Sequence, residues 1–414
     1  MTPFFDVRMK GFRDRKTVVE VVELLQVRSR PVESEFIRPA AGRVLVEFIE
    51  SPVNVPAFAR AAMDGYAVRG EDTFGADPNN PVPLAVIGSA LPGVAFDGTV
   101  GAGQAVRIMT GAPLPDGADA VLPVELTVSF GAGSVSDGSV SATEAVPPGR
   151  HVGRIGEDVR EGQEVLPDHR VLRPQDIGML SAIGVDEVEV VGIPKVAILT
   201  TGNELLPPFS TPVGYHITDA NTPMLESLVT RDGGQILPSE RVEDQYEAVR
   251  DAIKNCDADV ILISGGSSVG VEDHAPRAVA ELGELLAHGV ALRPASPTGF
   301  GVVDGKFVFL LPGNPVSCLC AYDLFAGPVI RNLGGRDWDM PYRTVELPAK
   351  SKIVSAVGRV DYVRVKVAKR LVEPLAVSGA SILSTAVFAD GFVLIDQDSE
   401  GVPPGGMVTV YLYD

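Results

Sequence analysis

Several residue types and motifs that would announce a specialised protein are scarce or missing in this chain. Three cysteines in 414 residues, Cys256, Cys318 and Cys320, are too few and too irregularly spaced for a disulfide framework or a zinc site. Cys318 and Cys320 fall in an apolar stretch and read as buried small residues. Basic residues are outnumbered, 35 against 54 acidic ones, and a net charge of -19 argues against nucleic acid or an acidic membrane surface as the main partner. No apolar run is long enough to cross a bilayer and no charged-then-apolar leader opens the chain, so no membrane insertion and a cytoplasmic location are expected. Neither G-x-x-x-x-G-K-[ST] nor a strand-associated G-x-G-x-x-G occurs, which removes the P-loop and dinucleotide fingerprints. His151, His169, His216, His274 and His288 show no metal-ligand spacing. The single tryptophan, Trp338, reads as a packing residue between domains.

Glycine and proline, by contrast, are plentiful, at 44 and 33 residues, which implies many turns and a large β content. The length exceeds one ordinary hydrophobic core, so several domains are expected. Thr17-Val-Val-Glu20 has the form of a capping box ahead of Val18, Val21, Val22 and Leu25 at helical spacing. Short strands with Gly/Pro turns run from about 53 to 150 and read as a β lobe inserted into an N-terminal domain spanning 1–190. From Lys195 strands and helices alternate, giving a doubly wound α/β domain over 191–337. The remainder, 338–414, alternates apolar and polar residues without helical periodicity and reads as a small β-barrel. The expected fold class is therefore multidomain: a central doubly wound α/β domain, an N-terminal mixed domain with an inserted β lobe, and a C-terminal barrel.

The most informative stretch is Val260-Ile-Leu-Ile-Ser264-Gly265-Gly266-Ser267-Ser268-Val-Gly270-Val-Glu-Asp273. An apolar, β-branched run reads as a buried strand, and the glycines after it let backbone N–H groups crowd an anion. Asp273 then stands where the next helix begins, placed to hold a metal against that anion. The layout recurs at Phe307-Val-Phe-Leu-Leu311-Pro312-Gly313-Asn314-Pro315. Two such bends at the ends of parallel strands make one anion-binding crevice. Gly266 to Gly270 also matches the G-x-S-x-G of a serine hydrolase. Only His274 and His288 follow, too close for the usual triad topology, so the anion-loop reading is preferred.

Acidic residues at loop positions give the next signal. Glu204 lies just past the first α/β strand, and Asp219 and Asp273 each precede a helix. The carboxyl ends of parallel strands converge on one edge, so all three are candidates to meet there. For Asp219 and Asp273, helix capping and metal binding both stay open; Glu204 is at no obvious cap and reads as functional. Met63-Asp64-Gly65 and Met109-Thr110-Gly111 read as turns on composition alone.

Taken in order, Met63-Asp-Gly-Tyr-Ala67, Met109-Thr-Gly-Ala-Pro-Leu-Pro-Asp-Gly-Ala-Asp119, Gly156-Glu-Asp158, Thr201-Gly-Asn-Glu204, the Ser264–Asp273 stretch and Leu311-Pro-Gly-Asn-Pro-Val-Ser317 resemble the molybdopterin molybdenumtransferases, the bacterial MoeA proteins related to the gephyrin E-domain. The resemblance covers essentially the whole chain. It implies Mg²⁺-dependent insertion of molybdenum from molybdate into adenylylated molybdopterin with release of AMP, in a homodimer whose active site is shared between subunits. It further implies Asp64, Thr110, Asp158, Glu204, Asp219 and Asp273 as catalytic positions, with Glu204, Asp219 and Asp273 toward the metal. Ser264, Gly265, Gly266, Ser267, Gly270, Arg293, Pro312, Gly313, Asn314 and Pro315 are its substrate-binding positions. One departure stands out: Arg293-Pro-Ala-Ser-Pro297 replaces the common Lys-Pro-Gly-Lys-Pro, so Arg293 is expected to take over the first cation while Ser296 cannot replace the second. The alternative function is a gephyrin-like scaffold or receptor-binding protein that keeps the fold.

Overall fold

The computed structural model describes residues 15–128, 138–265, 274–376 and 379–413. Its contacts divide the chain into two units, Met1–Glu35 with Val190–Asp414, and Phe36–Glu189. Among the described residues no helix is long and apolar enough to cross a membrane.

In the larger unit a seven-stranded sheet runs in the order Gln235–Ile236, Lys195–Thr201, Val260–Ser264, Lys306–Leu311, Gly299–Val303, Glu284–His288, with Glu240–Val242 also on Lys195–Thr201. Pairings as far as Lys306–Leu311 are parallel, and the last two pairings, on either side of Gly299–Val303, are antiparallel. The chain leaves Lys195–Thr201 outward to Gln235 and then crosses back to Val260. Strand order thus reverses between Lys195–Thr201 and Val260–Ser264, which opens a crevice at their carboxyl ends.

Every residue of Val260–Ser264 is buried. Val260 and Leu262 enter one core with Leu225, Val229 and Phe309; Ile261 and Ile263 enter the other with Val249, Ile253 and Val279. That alternation follows from the period of two along a strand whose faces are both covered by helices. Truncating Ile261, Leu262 or Ile263 to alanine would cost roughly 2–5 kcal/mol. Asp304 and Gly305, both at positive φ, turn the hairpin from Gly299–Val303 to Lys306–Leu311. The long terminal helix is interrupted by a π-turn, Tyr322–Ala326, between Pro315–Ala321 and Gly327–Leu333.

The grouping at the N-terminus differs from the expected 1–190. Thr17 and Glu20 do form the capping box, with Glu20 N donating to Thr17 Oγ1 at 3.2 Å and Thr17 N to Glu20 Oε2 at 2.7 Å. The helix Val18–Arg28 then buries Val21 and Leu25 among Val196, Leu225 and Phe325, on the α/β sheet. Its apolar stripe finds a partner there, so residues 1–35 group with the α/β unit.

Beyond the α/β layers, Leu292–Arg293, Val360–Ala368, Gly391–Ile395, Met407–Leu412 and Arg343–Pro348 form a second sheet in that order, with Leu371–Ala376 also on Val360–Ala368. An isolated bridge pairs Ala349, just after Arg343–Pro348, with Val372 of Leu371–Ala376, and Val363, Val365, Val393, Val408 and Val410 form the core of this sheet.

The smaller unit holds a six-stranded sheet ordered Ala120–Pro123, Gly65–Val68, Gln104–Ile108, Val82–Ala90, Ser139–Ala142, Thr127–Val128, within the stretch read as a β lobe. Gly65 lies so close to Leu122 that any Cβ would collide with its carbonyl, which explains the glycine after Asp64.

Candidate active site

Ser264 and Leu311 end neighbouring parallel strands in register, so the chain turns away from both at one edge. Gly265 N donates to Leu311 O at 3.2 Å. Gly265 is at φ +92°, and a Cβ there would collide with the Thr201 carbonyl. A Cβ built on Gly313 would lie 3.6 Å from Gly265 Cα, so the bends at 264–265 and 312–315 are immediate neighbours. Asn314 and Pro315 open the helix that follows. Gly266, Ser267, Gly270 and Asp273 lie outside the described residues.

The two bends are held by a residue that sequence reading passed over. Asn221, buried at the start of the helix Asn221–Arg231, donates from Nδ2 to Ser264 Oγ at 2.8 Å and to the Gly313 carbonyl at 2.8 Å. The available signal was the Asp219-Ala-Asn221 form, in which a carboxylate fixes the backbone two residues on. Asp219 Oδ1 accepts from Asn221 N at 2.9 Å and from Thr222 N at 3.0 Å, while Oδ2 accepts from Thr222 Oγ1 at 2.6 Å. Thr222 Oγ1 also lies 2.8 Å from Thr200 Oγ1. Asp219 thus caps the helix and anchors it to the strand Lys195–Thr201, the first of its two open readings.

Glu204 sits beyond Lys195–Thr201 with its side chain exposed, held by its backbone carbonyl, which accepts from Ile217 N at 3.0 Å. Among the described residues no three His, Cys, Asp or Glu side chains converge as a metal site. Of the expected trio, Asp273 lies outside the described residues; of the other two, Glu204 is exposed and Asp219 accepts hydrogen bonds at a helix start. Cys318 beneath the bend is no nucleophile: burial pushes its thiol up to about 12, against the opposing effect of its hydrogen bond with Ser264.

Arg293 departs from expectation. Its guanidinium pairs with the fully buried Asp361, which also accepts from Arg359 Nε at 3.2 Å and from Ser355 Oγ at 2.7 Å. The pairing of Leu292–Arg293 alongside Val360–Asp361 brings the two together. Arg293 therefore ties its loop to the C-terminal sheet, and its Nη2 is not available as an oxyanion ligand; a buried carboxylate attracts the nearest cation strongly. Ala295, where the related loop carries glycine, is at φ +94°, and Ser296 Oγ is buried without a partner among the described residues.

In the smaller unit, Asp64 and Thr110 do meet. Thr110 donates to Asp64 Oδ1 from its backbone N at 2.7 Å and from its hydroxyl at 2.8 Å. The pairing of Gly65 with Ile108 sets this contact. The backbone bond and then the hydroxyl bond hold the Asp64 carboxyl below its ordinary value. Asp158 is exposed beside an isolated bridge outside that sheet, where its N donates to Val55 O at 3.1 Å and Val159 pairs with Val55. Ala61, three residues before Asp64, pairs with Val152 in a separate two-stranded sheet, and no hydrogen bond joins Asp64 to Asp158.

Three family models match in succession: the MoeA N-terminal region (domain I and II) over residues 14–184, a probable molybdopterin binding domain over 197–332, and the MoeA C-terminal region (domain IV) over 346–413. A putative molybdopterin biosynthesis protein of Methanocaldococcus jannaschii is 34% identical over 407 residues, covering 96% of each chain. The molybdopterin molybdenumtransferase of Haemophilus influenzae is 30% identical over 399 residues, covering 94% of this chain and 96% of that one. Among solved structures, the molybdopterin biosynthesis MoeA protein from Pyrococcus horikosii superposes with a TM-score of 0.82 at 33% identity, over 97% of this chain and 100% of that one. The order of domains, the paired bends and the length of the match agree: this chain belongs to the MoeA family.

Proposed function

We propose that this chain is a transferase of molybdenum cofactor biosynthesis, a molybdopterin molybdenumtransferase. In this reading it binds adenylylated molybdopterin and molybdate, cleaves the adenylate, leaves molybdenum on the dithiolene and releases AMP. The observation that carries it is the junction of Ser264–Gly265 with Leu311–Gly313 at the reversal of strand order, inside a chain matched along its length by the family. Such a crevice is where open α/β sheets hold phosphorylated ligands. Its packed, glycine-walled edge suits a phosphoanhydride laid against backbone.

The proposal includes Mg²⁺. A magnesium ion is held by one or two protein carboxylates together with substrate phosphates, so a full protein cage is not required. The exposed Glu204 fits that role, with Asp273 as the second ligand from outside the described residues, while Asp219 shapes the helix start behind them. When bound, the ion supplies neutralisation of phosphate charge. Ser264 and Gly313, fixed by Asn221, set the width of the groove. Asp64, ionised and oriented by Thr110, supplies an acceptor for a proton or an ordered water.

A cytoplasmic homodimer with each site shared between subunits is part of the same reading and rests on the likeness to the family along the whole chain. The test is direct: purified protein is incubated with adenylylated molybdopterin, Mg²⁺ and molybdate, and AMP is followed. AMP release that requires both the protein and molybdate is expected; release no faster than in a protein-free control would end the proposal.

A further inference from the structure

We infer that Asn221 is the positioning residue that sets the spacing of the two ligand-binding bends. The inference rests on the reading of these bends as the substrate crevice. One amide nitrogen donates to Ser264 Oγ and to the Gly313 carbonyl, at 2.8 Å each, across 43 and 92 residues of sequence. The Gly313 carbonyl can only accept, so the nitrogen of the amide must face it. The staple is itself fixed from behind, because Asp219 accepts from the Asn221 backbone N at 2.9 Å. Asp219, Asn221 and the two bends thus form a chain of bonds from a helix start to the floor of the crevice.

Among the described residues, Asn221 Oδ1 is buried and has no hydrogen-bond partner, and Thr201 Oγ1, near Gly265, is in the same state. A buried acceptor left without a donor is costly, and such groups in native structures call for a partner that arrives later. A side chain whose two donors fasten the walls and whose acceptor is left over belongs to the ligand site as well as to the scaffold. Glutamine would overfill the position, aspartate would set an acceptor against the Gly313 carbonyl, and alanine would release both bends. Only asparagine meets all three demands at this length.

The test compares wild type with Asn221→Ala, Asn221→Asp and Ser264→Ala as full-length protein. Loss of two neutral hydrogen bonds at one amide corresponds to an effect of about ten- to a hundredfold. Amide hydrogen exchange at Gly265 and Gly313–Asn314 is therefore expected to quicken by that factor in Asn221→Asp, with exchange in Val260–Ile263 unchanged. In the AMP-release assay, KM for adenylylated molybdopterin is expected to rise by at least tenfold in both Asn221 variants, measured on the folded fraction. Ser264→Ala should reproduce part of the loss, and combining it with Asn221→Ala should add less than the product of the two, because both remove one contact. Unchanged exchange at the bends overturns the inference, whether or not the protein turns over. Exchange quickened without any change in KM in an active enzyme also overturns it, since the staple would then be structural only. A wild type that releases no AMP, with the bends loosened as expected, defeats the functional proposal and leaves the staple standing.

Discussion

Thr110 donates twice to a single oxygen of Asp64, from its backbone N at 2.7 Å and from its hydroxyl at 2.8 Å. The pair holds the Asp64 carboxyl below its ordinary value, the backbone bond contributing most. For a lowered carboxyl the pair's contribution is present above the unfolded pKa and is lost as pH falls through the folded one. Thr110→Val removes the hydroxyl and keeps the amide. The Asp64 midpoint, followed by NMR of the carboxyl carbon, should therefore rise toward the ordinary range without reaching it, and the acid limb of activity should move up with it. An unmoved midpoint would show that the hydroxyl contributes nothing.

The strands at this site were legible because burial on both faces leaves a run such as Val260-Ile-Leu-Ile no other composition. Their glycines were legible too, since Gly265 has a conformation and a clearance that side chains lack. Asn221 was not. An asparagine beside a helix start is an ordinary residue until the fold brings Ser264 and Gly313 to it, and no local pattern encodes a bond across 92 residues. The ion pair of Arg293 was hidden for the same reason: its partner Asp361 is 68 residues away on the neighbouring strand of the second sheet, and no local pattern announces that buried carboxylate. The helix Val18–Arg28 was recognised as a helix, but amphipathicity states only that a stripe is buried, not against which sheet.

Asp219 and Glu204 should separate under magnesium titration. Asp219→Asn keeps an oxygen to accept from the backbone N of Asn221 and Thr222, while its new amide can donate to Thr222 Oγ1. The Mg²⁺ concentration for half-maximal AMP release should stay within about twofold of wild type, the cap being preserved. Glu204→Gln removes the exposed charge and should raise that concentration by at least about tenfold. The reverse order would return Asp219 to the metal.

Around Asp361 the prediction concerns stability. It is fully buried and satisfied by Arg293, Arg359 and Ser355, so Asp361→Asn leaves two guanidinium groups facing a neutral amide. A loss of about 3 kcal/mol is expected, the low end for a broken buried pair because both arginines reach solvent in part. Arg293→Gln added to Asp361→Asn should cost little more, read by denaturant unfolding. Full additivity of the two would mean that Arg293 works elsewhere.

Ala295 offers a gain. At φ +94° an alanine is strained by roughly 1–2 kcal/mol, whereas glycine gives back part of that through the greater freedom of its unfolded chain. Ala295→Gly should thus raise stability by about 0.5–1 kcal/mol, seen as a higher melting temperature with the same activity. Ser296→Lys, which replaces a hydroxyl that has no partner among the described residues, should preserve or raise turnover. A severe loss there would mean that the loop is built around serine for another ligand.

The proposal that each site is shared between subunits can be tested with two inactive proteins. Asp64 lies in the unit Phe36–Glu189 and Glu204 in the unit that holds the bends. If one subunit supplies Asp64 to the crevice of the other, a heterodimer of Asp64→Ala with Glu204→Ala carries one doubly damaged site and one intact site. Random reassortment of equal amounts makes half of the dimers mixed, so activity should return to roughly a quarter of wild type. Each variant alone should remain inactive after the same denaturation and refolding. Recovery at that level requires Asp64 and Glu204 to act from different chains, because a site built within one chain leaves every combination damaged. A mixture that stays inactive while native mass spectrometry shows heterodimers would place both carboxylates in a single subunit's site.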